Sequence, residues 1–551
     1  MDSRADDYLR IQGQMESRRS NFETQWREVA ERVRPNQNFF QQQQRAEGDK
    51  RNEKIFDSTA PLALPKFAAA VISMSFPATQ MYQRLTTADP DIAERDDVRL
   101  YLDAVNTALF RARYAPKSNF QAQTGEVVMD IGAFGTGVLF IDDVPGMGIR
   151  YKSFPLAESY IAENGHGVID TLHRKFEFTA NQAATMFGIN KLPPAIQAAV
   201  EKDPGQKFWF IHCVHPNPNI NPARKNYDGM AFTSAYIAME TRHTVDVGGF
   251  RTFPFAVPRY ETSPREVYGR SPCMQVLPTI KTLNEMTRTI LRAAQIAVEP
   301  PIMLSDDASL QAFNLRGAAL NYGYLGDQGQ EKAKPFVSGA RVDLGLEMLS
   351  SQREIINDAL FVTLFRILVE EPQITATEAM LRAQEKGQLL APTMGRIQTE
   401  LLGPCTEREL DILSMMGNEL PPMPQALLDI GGLFHVEYQS PLNLAQRSSA
   451  GVGIMNTIQA LAPLAQMDPK VMLVFDSTKI ARELAEINGV PNKVMRSADE
   501  VAAMEQQQDQ QAQAQQLLAA APVAASSAKD FAQAQAMSGG NQQAPAILPG
   551  G

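Results

Sequence analysis

Residues 268–301 read YGRSPCMQVLPTIKTLNEMTRTILRAAQIAVEPP, and residues 344–368 read LGLEMLSSQREIINDALFVTLFRIL. Both have the period of a long helix, and their pairing decides the architecture. In the first, Ile280, Leu283, Thr287, Ile290, Ala294 and Ala297 recur at helical spacing, which puts them on one face. Pro278 suits a first helical turn, where a missing N–H is no loss, and Pro300 with Pro301 forces a stop. Lys281, Glu285, Arg288 and Arg292 fall on another face. In the second segment Leu349, Ile356, Leu360, Leu364 and Ile367 form the apolar stripe, while Glu347, Glu354 and Asp358 lie together elsewhere. One helix thus shows a mostly basic stripe and the other an acidic one. By periodicity alone, two amphipathic helices of an ordinary core are the plain reading.

The chain has 551 residues and a net charge of −10. That length suits about two to four domains with ample core. The acidic balance argues against nonspecific clinging to nucleic acid. Three widely spaced cysteines, Cys213, Cys273 and Cys405, imply no disulfide framework and a reducing cytosol. The start MDSRADDYLR is too acidic and polar for a signal peptide. The apolar run from Leu62 to Phe76 is broken by Pro65 and Lys66, so no membrane span is expected.

Ahead of the two long helices the texture changes twice. Residues 3–34 read as helix, in one or two pieces, with Phe22, Trp26, Val29 and Val33 as an apolar stripe and Asn21 as a plausible N-cap. Further helices are expected over Pro61–Ser75 and Asp91–Tyr114. From Gly125 to Tyr260 strands and turns dominate, with strands expected at 138–141, 148–151, 168–172, 208–214, 231–239 and 243–247. A short capped helix over Thr179–Asn190 interrupts them. The fold class is therefore α+β, mainly helical.

Enzyme signatures are weak. GAFGTG, Gly132 to Gly137, looks like a phosphate loop but lacks Lys-Ser/Thr and is followed by a strand, so a tight turn is the simpler reading. His212, Cys213 and His215 are close in sequence. However, His212 and Cys213 point to opposite faces of a strand, and no second ligand pair follows at metal spacing. No catalytic residues, cofactor or metal are expected. His166, His173, His243 and His435 form no triad with a nucleophile.

Two further stretches bear on the reading of the first. One is TATEAMLRAQEKGQLLAPTMGRIQTELLGPCTER, Thr375 to Arg408, where Thr375 and Glu378 fit a capping box and Pro392 and Pro404 should kink or segment the helix. The other is WREVAERVRP, Trp26 to Pro35. Together with YGRSP, LPTIKTLNEM and VEPP, these resemble the portal, or head-to-tail connector, proteins of short-tailed bacteriophages. The specificity lies in the combination, which spans most of residues 20–420.

The resemblance implies a portal-type fold. Residues 1–264 would be a wing of N-terminal helices plus strands, 265–300 the first stem helix, 301–343 a clip and 344–369 the second stem helix. A channel loop would follow at 370–375, a kinked wing helix at 376–420 and a helical crown at 421–505. The tail, 506–551, is Gln/Ala-rich and either partly helical or disordered. The clip would dock the motor and later the tail adaptor, with Tyr322, Tyr324, Lys332 and Lys334 as its docking residues.

The channel loop would be Glu370, Glu371, Pro372, Gln373 and Ile374, which in a ring repeats as a collar of carboxylates that repels DNA; a solvent-exposed turn is the plain alternative. Lys281, Arg288 and Arg292 would meet Glu347, Glu354 and Asp358 across subunits, or Arg288 or Arg292 would line the channel. The resemblance further implies a ring of twelve at one capsid vertex, through which double-stranded DNA is packaged and ejected. Its partners would be the terminase large subunit, a tail adaptor, and major capsid and scaffolding or internal core proteins. The protein would sit in the virion after assembly in the host cytoplasm, with no membrane contact. Another virion structural protein, of the tail or internal core, is the alternative reading.

Overall fold

The computed structural model describes residues 3–37, 40, 48–304 except 94, 222 and 225, then 328, 333–335, 342–363, 392–417, 420–431, 434–438, 451–461, 475–487 and several positions from 500 to 511. In chain order the first elements are α1 (Ser3–Arg32), α2 (Thr59–Ser75), β1 (Gln83–Thr86), α3 (Pro90–Ala93), α4 (Asp96–Arg113) and α5 (Phe120–Phe134). The mixed region holds β2 (Leu139–Val144), β3 (Gly148–Ser153), β4 (Ser159–Glu163), β5 (Ile169–Thr179), α6 (Ala180–Phe187) and α7 (Pro194–Lys202). It continues with β6 (Lys207–Pro216), β7 (Phe232–Ala238), β8 (His243–Phe250) and β9 (Phe255–Ala256). Then come α8 (Pro272–Gln275), α9 (Leu277–Val298), β10 (Ile302–Leu304), β11 (Ala333–Pro335), α10 (Val342–Ala359), α11 (Gly403–Met416), α12 (Gln425–Asp429), β12 (His435–Tyr438) and α13 (Ser477–Ile487).

Two compact units result. One comprises Met1–Thr86, Ala104–Pro422 and Phe434–Ser449; the other comprises Thr87–Asp103, Met423–Leu433 and Ala450–Gly551. The second unit holds α3, the start of α4, α12, a helix over 451–461 and α13. The first unit contains the sheets. A five-stranded antiparallel sheet has the order β4-β5-β6-β7-β8, and a three-stranded one the order β3-β2-β9. β1 pairs antiparallel with β12 inside the first unit.

Each strand expected from β-branched and aromatic content is found, mostly longer than expected. β4, β1, β12 and the short β9 escape sequence reading. Thr179 accepts from the Gln182 N–H, and the Gln182 side chain returns the bond to the Thr179 N–H, so a full capping box starts α6. α1 is one continuous helix, which removes Asn21 as a cap. The strand texture expected from Gly125 is corrected: residues 120–134 form α5, because its small and apolar positions face α2, whose packing overrides β-propensity.

The end of α5 organises this unit. GAFGTG lies at the C-terminal end of a helix, where the dipole is negative, so it is the wrong end for an anion. Gly135 ends α5 with φ 83°, and a Cβ there would lie 2.3 Å from the Gly269 carbonyl oxygen. Conversely, a Cβ on Gly269 would meet the Gly135 carbonyl oxygen at 2.1 Å. The closing carbonyls of α5 are satisfied by side chains: Trp26 Nε1 donates to Phe134 O at 3.0 Å and Ser271 Oγ to Ala133 O at 2.8 Å. Tyr268 packs edge-on against Trp26 at 5.1 Å between ring centres. The WREVAERVRP and YGRSP stretches thus meet at one point.

The Pro404 region behaves as proline demands. The helix beginning at residue 392 passes through a π-helical turn at Gln398–Leu402 before α11, with Pro404 in the first turn of α11. The second long helix is interrupted within the described residues: helical backbone resumes at 362–363, and the rest of the expected helix, 364–369, lies outside them. α10 ends at Ala359, and Phe361 has φ 56° with its ring stacked on Phe67 of α2, 6.3 Å between centres; a bulky residue at positive φ breaks the helix.

Two buried arginines, one in an ion pair and one on backbone carbonyls, bind distant parts of this unit. Arg113 and Glu409 are fully buried and bidentate at 2.9 and 2.7 Å, with Tyr82, Gln83 and Thr406 completing the guanidinium's bonds and Tyr151 donating to Glu409. Burial alone would lower the Arg113 pKa; the Glu409 carboxylate more than offsets it and keeps the guanidinium charged. Arg19, 1% exposed, donates to the carbonyls of Leu156, Ala157 and Ser159 and so fixes the entry to β4.

Gly269→Ala should therefore cost about 1–3 kcal/mol, since the obstacle is backbone. Gly13→Ala, in α1 with open space around it, should be neutral or stabilising by about 0.5–1 kcal/mol. Thermal melts of the two variants, side by side, check the contrast.

Candidate functional site: a two-helix hairpin clamped at its root

α9 and α10 pack as an antiparallel pair. Gly345 near the start of α10 lies so close to α9 that a Cβ would sit 2.8 Å from Ile290 Cδ1. At the other end Arg353 reaches a segment that Asn284 of α9 also holds. The hairpin's first half is buried through Leu277, Ile280, Leu283, Asn284 and Thr287, and α10 contributes Leu349, Ile356 and, just beyond its end, Leu360.

The root is a polar clamp. Asn284 Oδ1 accepts from the N–H groups of Phe56 at 2.8 Å and Asp57 at 3.2 Å, and its Nδ2 donates to Ile280 O. Asp57, buried, accepts from the Thr59 N–H at 2.9 Å at the start of α2 and from Arg353 Nη2 at 2.7 Å and Nε at 3.0 Å. One short segment therefore holds α2, α9 and α10. Burial alone would raise the Asp57 carboxyl. Its hydrogen bonds from Thr59 and Arg353 outweigh that and hold it below the ordinary carboxylate range.

Beyond the root the character changes. Leu291, Ile296 and Val298 on α9 and Leu346, Met348 and Ile355 on α10 are exposed, Val298 by 80%. Beyond Ile290 no residue of α9 is buried. A short ladder, β10 with β11, lies past the end of α9 and sets Lys334 opposite Met303.

The expected charge stripes are placed as follows. Lys281 pairs with Glu28 of α1 in the same chain. Arg288 lies 3.6 Å from Glu285 one turn away and 5.4 Å over the Phe56 ring. Arg292, Glu347, Glu354 and Asp358 are exposed and form no ion pair among the described residues. The two stripes are not brought together within the chain. Tyr322, Tyr324, Lys332 and the five residues Glu370, Glu371, Pro372, Gln373 and Ile374 lie outside the described residues, as does most of the expected clip. No described helix is long and apolar enough to cross a membrane.

Sequence reading missed the clamp. Asn284 carried a signal, a polar residue inside the apolar stripe one turn after Ile280. Asp57 and Arg353, 296 residues apart, carried none. A second network below the hairpin was equally hidden: Arg259 bonds Glu400 at 2.8 Å and Glu163 at 3.1 Å, with Arg396 also on Glu400 at 3.2 Å.

Comparison with known proteins places the chain. A family model described as "Bacteriophage head to tail connecting protein" matches residues 5–495. The chain is 28% identical to a "Probable portal protein" of Bordetella phage BPP-1 over 90% of its own length and 89% of the relative's. It is 26% identical to the "Portal protein" of Salmonella phage epsilon15 over 96% of its own length and 95% of the relative's. A solved chain titled "Neck of empty GTA particle computed with C6 symmetry" covers 79% of this chain and 90% of its own, at 12% identity and a TM-score of 0.36, too low to carry an argument.

The clamp makes a pH prediction. Because the folded Asp57 carboxylate holds its proton more weakly than the unfolded one, its contribution is present above the unfolded pKa of about 3.9 and is lost as pH falls through the lower folded value. Asp57→Asn should lower stability at neutral pH by about 1–3 kcal/mol and flatten this part of the acid limb. Thermal melts of both proteins across that pH range check it.

Proposed function

The chain belongs to the bacteriophage head to tail connecting protein family, and we infer on that footing that it is the portal of a short-tailed phage. It is a structural protein of the virion and one subunit of an oligomeric ring at the phage head. The match to two portal proteins along nearly their whole length carries the reading. The hairpin supports it: its root is buried and bonded within the chain, while its outer half exposes apolar side chains on both helices. A ring buries such a face by repetition, each subunit covering the next.

On this reading α9 and α10 form the stem, residues 301–343 the clip, residues 1–264 and 376–420 the wing and residues 421–505 the crown. Double-stranded DNA passes along the ring axis during packaging and ejection. The terminase large subunit docks on the clip, through Tyr322, Tyr324, Lys332 and Lys334, and a tail adaptor replaces it afterwards. Major capsid and scaffolding or internal core proteins surround the wing and crown. Assembly takes place in the host cytoplasm, where three buried free cysteines need no oxidation.

Since Lys281 and Arg288 have partners inside the chain, the residues free to pair across subunits are Arg292 on one side and Glu347, Glu354 and Asp358 on the other. Each such pair contributes only about 0–1 kcal/mol, repeated at every interface. Negative-stain images of the purified protein should show rings with a central hole; single chains throughout would overturn the reading. Arg292→Glu should reduce the ring fraction, and adding Glu354→Lys should restore part of it. Without rescue, Arg292 has another role, facing the channel.

Glu370 and Glu371 form, by this account, an acidic collar at one height of the channel. Like charge keeps phosphate from settling there, which suits movement in both directions. Replacing both with Lys should leave assembly intact and slow packaging, most at low ionic strength where attraction is least screened. Packaging at the wild-type rate across salt concentrations would remove this loop from the channel wall.

A further inference from the structure

A cluster far from the hairpin residues in sequence has no part in the portal reading. β5 and β6 run antiparallel with His173 directly opposite Cys213. His215 lies two residues beyond Cys213 in β6, so all three side chains project from one face. Their ligand atoms, two imidazole nitrogens and a sulfur, lie within 4.8 Å of one another. His173 and Cys213 are fully buried and His215 is half-buried. The start of α1 covers this face with Ala5, Tyr8 and Leu9, and the Tyr8 ring lies 5.0 Å from that of His215.

The surroundings fix how the first histidine presents itself. Lys175 Nζ pairs with Glu16 Oε1 at 3.0 Å, and Glu16 Oε1 also accepts from Gln12 Nε2 at 3.0 Å. The Gln12 amide is thereby oriented with Oε1 toward His173 Nδ1, 3.0 Å away. Nδ1 must carry the proton, because an amide oxygen only accepts. His173 Nε2 is then an unprotonated lone pair aimed at His215 Nε2, 2.6 Å distant. An imidazole whose remote N–H is held by a fixed acceptor, with its other nitrogen facing a second imidazole and a thiol, is the arrangement of a metal ligand with its outer support.

The geometry points to a zinc site formed by His173 Nε2, Cys213 Sγ and His215 Nε2, with water as the fourth ligand. Soft thiolate with borderline imidazole favours zinc over calcium or magnesium, which require oxygen donors. On binding, the Cys213 S–H bond breaks, the sulfur lone pair forms the S–Zn bond and the proton leaves to solvent. The imidazole nitrogens must part to about 3.3 Å to accept Zn–N bonds of about 2.0–2.1 Å. His212 takes no part: it points to the other face, bonded to Ser234 at 2.9 Å and stacked on Tyr236. Sequence spacing hid the site because its third ligand comes from the neighbouring strand.

Full-length protein reconstituted with zinc chloride and freed of excess metal should retain about one zinc per chain by elemental analysis, as a single three-ligand site implies. Cys213→Ala and His215→Ala should each lose most of it. A chelator should lower the thermal midpoint of the wild type and leave those of the variants unmoved. Cobalt substituted into the wild type should give a thiolate-to-cobalt charge-transfer band and visible bands of tetrahedral intensity; this test needs no variant to fold. Wild-type protein that retains no zinc and gives no such bands, or a Cys213→Ala protein that retains zinc equally, would overturn the site and leave a hydrogen-bonded histidine pair.

Discussion

The mutual contact of Gly135 and Gly269 sets the geometry of the larger unit. Two backbones meet where neither can carry even a methyl group. The contact fixes where α5 ends and where the chain leading into α8 and α9 begins. It also leaves the last carbonyls of α5 to be satisfied by Trp26 and Ser271. Three remote stretches are thus bound by one steric limit and two hydrogen bonds. Burial of Trp26, Phe134 and Tyr268 around them supplies the apolar stabilisation.

Charge does the corresponding work elsewhere. Arg113, Arg19 and Arg259 each occupy a buried or nearly buried position with their donors matched to carboxylates or carbonyls. Such groups add little net energy over apolar packing, but removing one partner leaves the other stranded. They specify which segments adjoin. The clamp at Asp57 has the same logic with lower stakes, because Arg353 is half exposed.

Much of this was legible. Period 3.6 marked α9 and the start of α10, prolines marked the ends of α9, and alternating β-branched and aromatic residues marked β5, β6, β7 and β8. What failed to show was non-local. α5 was passed over because Val127, Val128 and Ile131 suit the strand-and-turn texture read from Gly125 onward, and their burial against α2 is what sequence does not display. The interruption after Ala359 was hidden because Phe361 adopts a backbone conformation its residue type gives no hint of. In the hairpin, sequence displayed the charged faces but not the root. Asn284 could be noticed as an intruder in an apolar stripe; Asp57 and Arg353 acquire meaning only once the fold joins them. The histidine–cysteine group failed for the same reason, since strand register and not spacing assembles it.

Among the described residues the hairpin is anchored at its root, which makes it a lever. From Asn284 to Val298 the helix extends about 21 Å at about 1.5 Å per residue. A tilt of about 5° at the root therefore moves the tip by about 2 Å over that reach. Subunits that close a ring must absorb small misfits between copies. An arm bonded and buried at its root and exposed beyond it would let each subunit adjust at its tip while the sheets and helices that hold its base stay as they are.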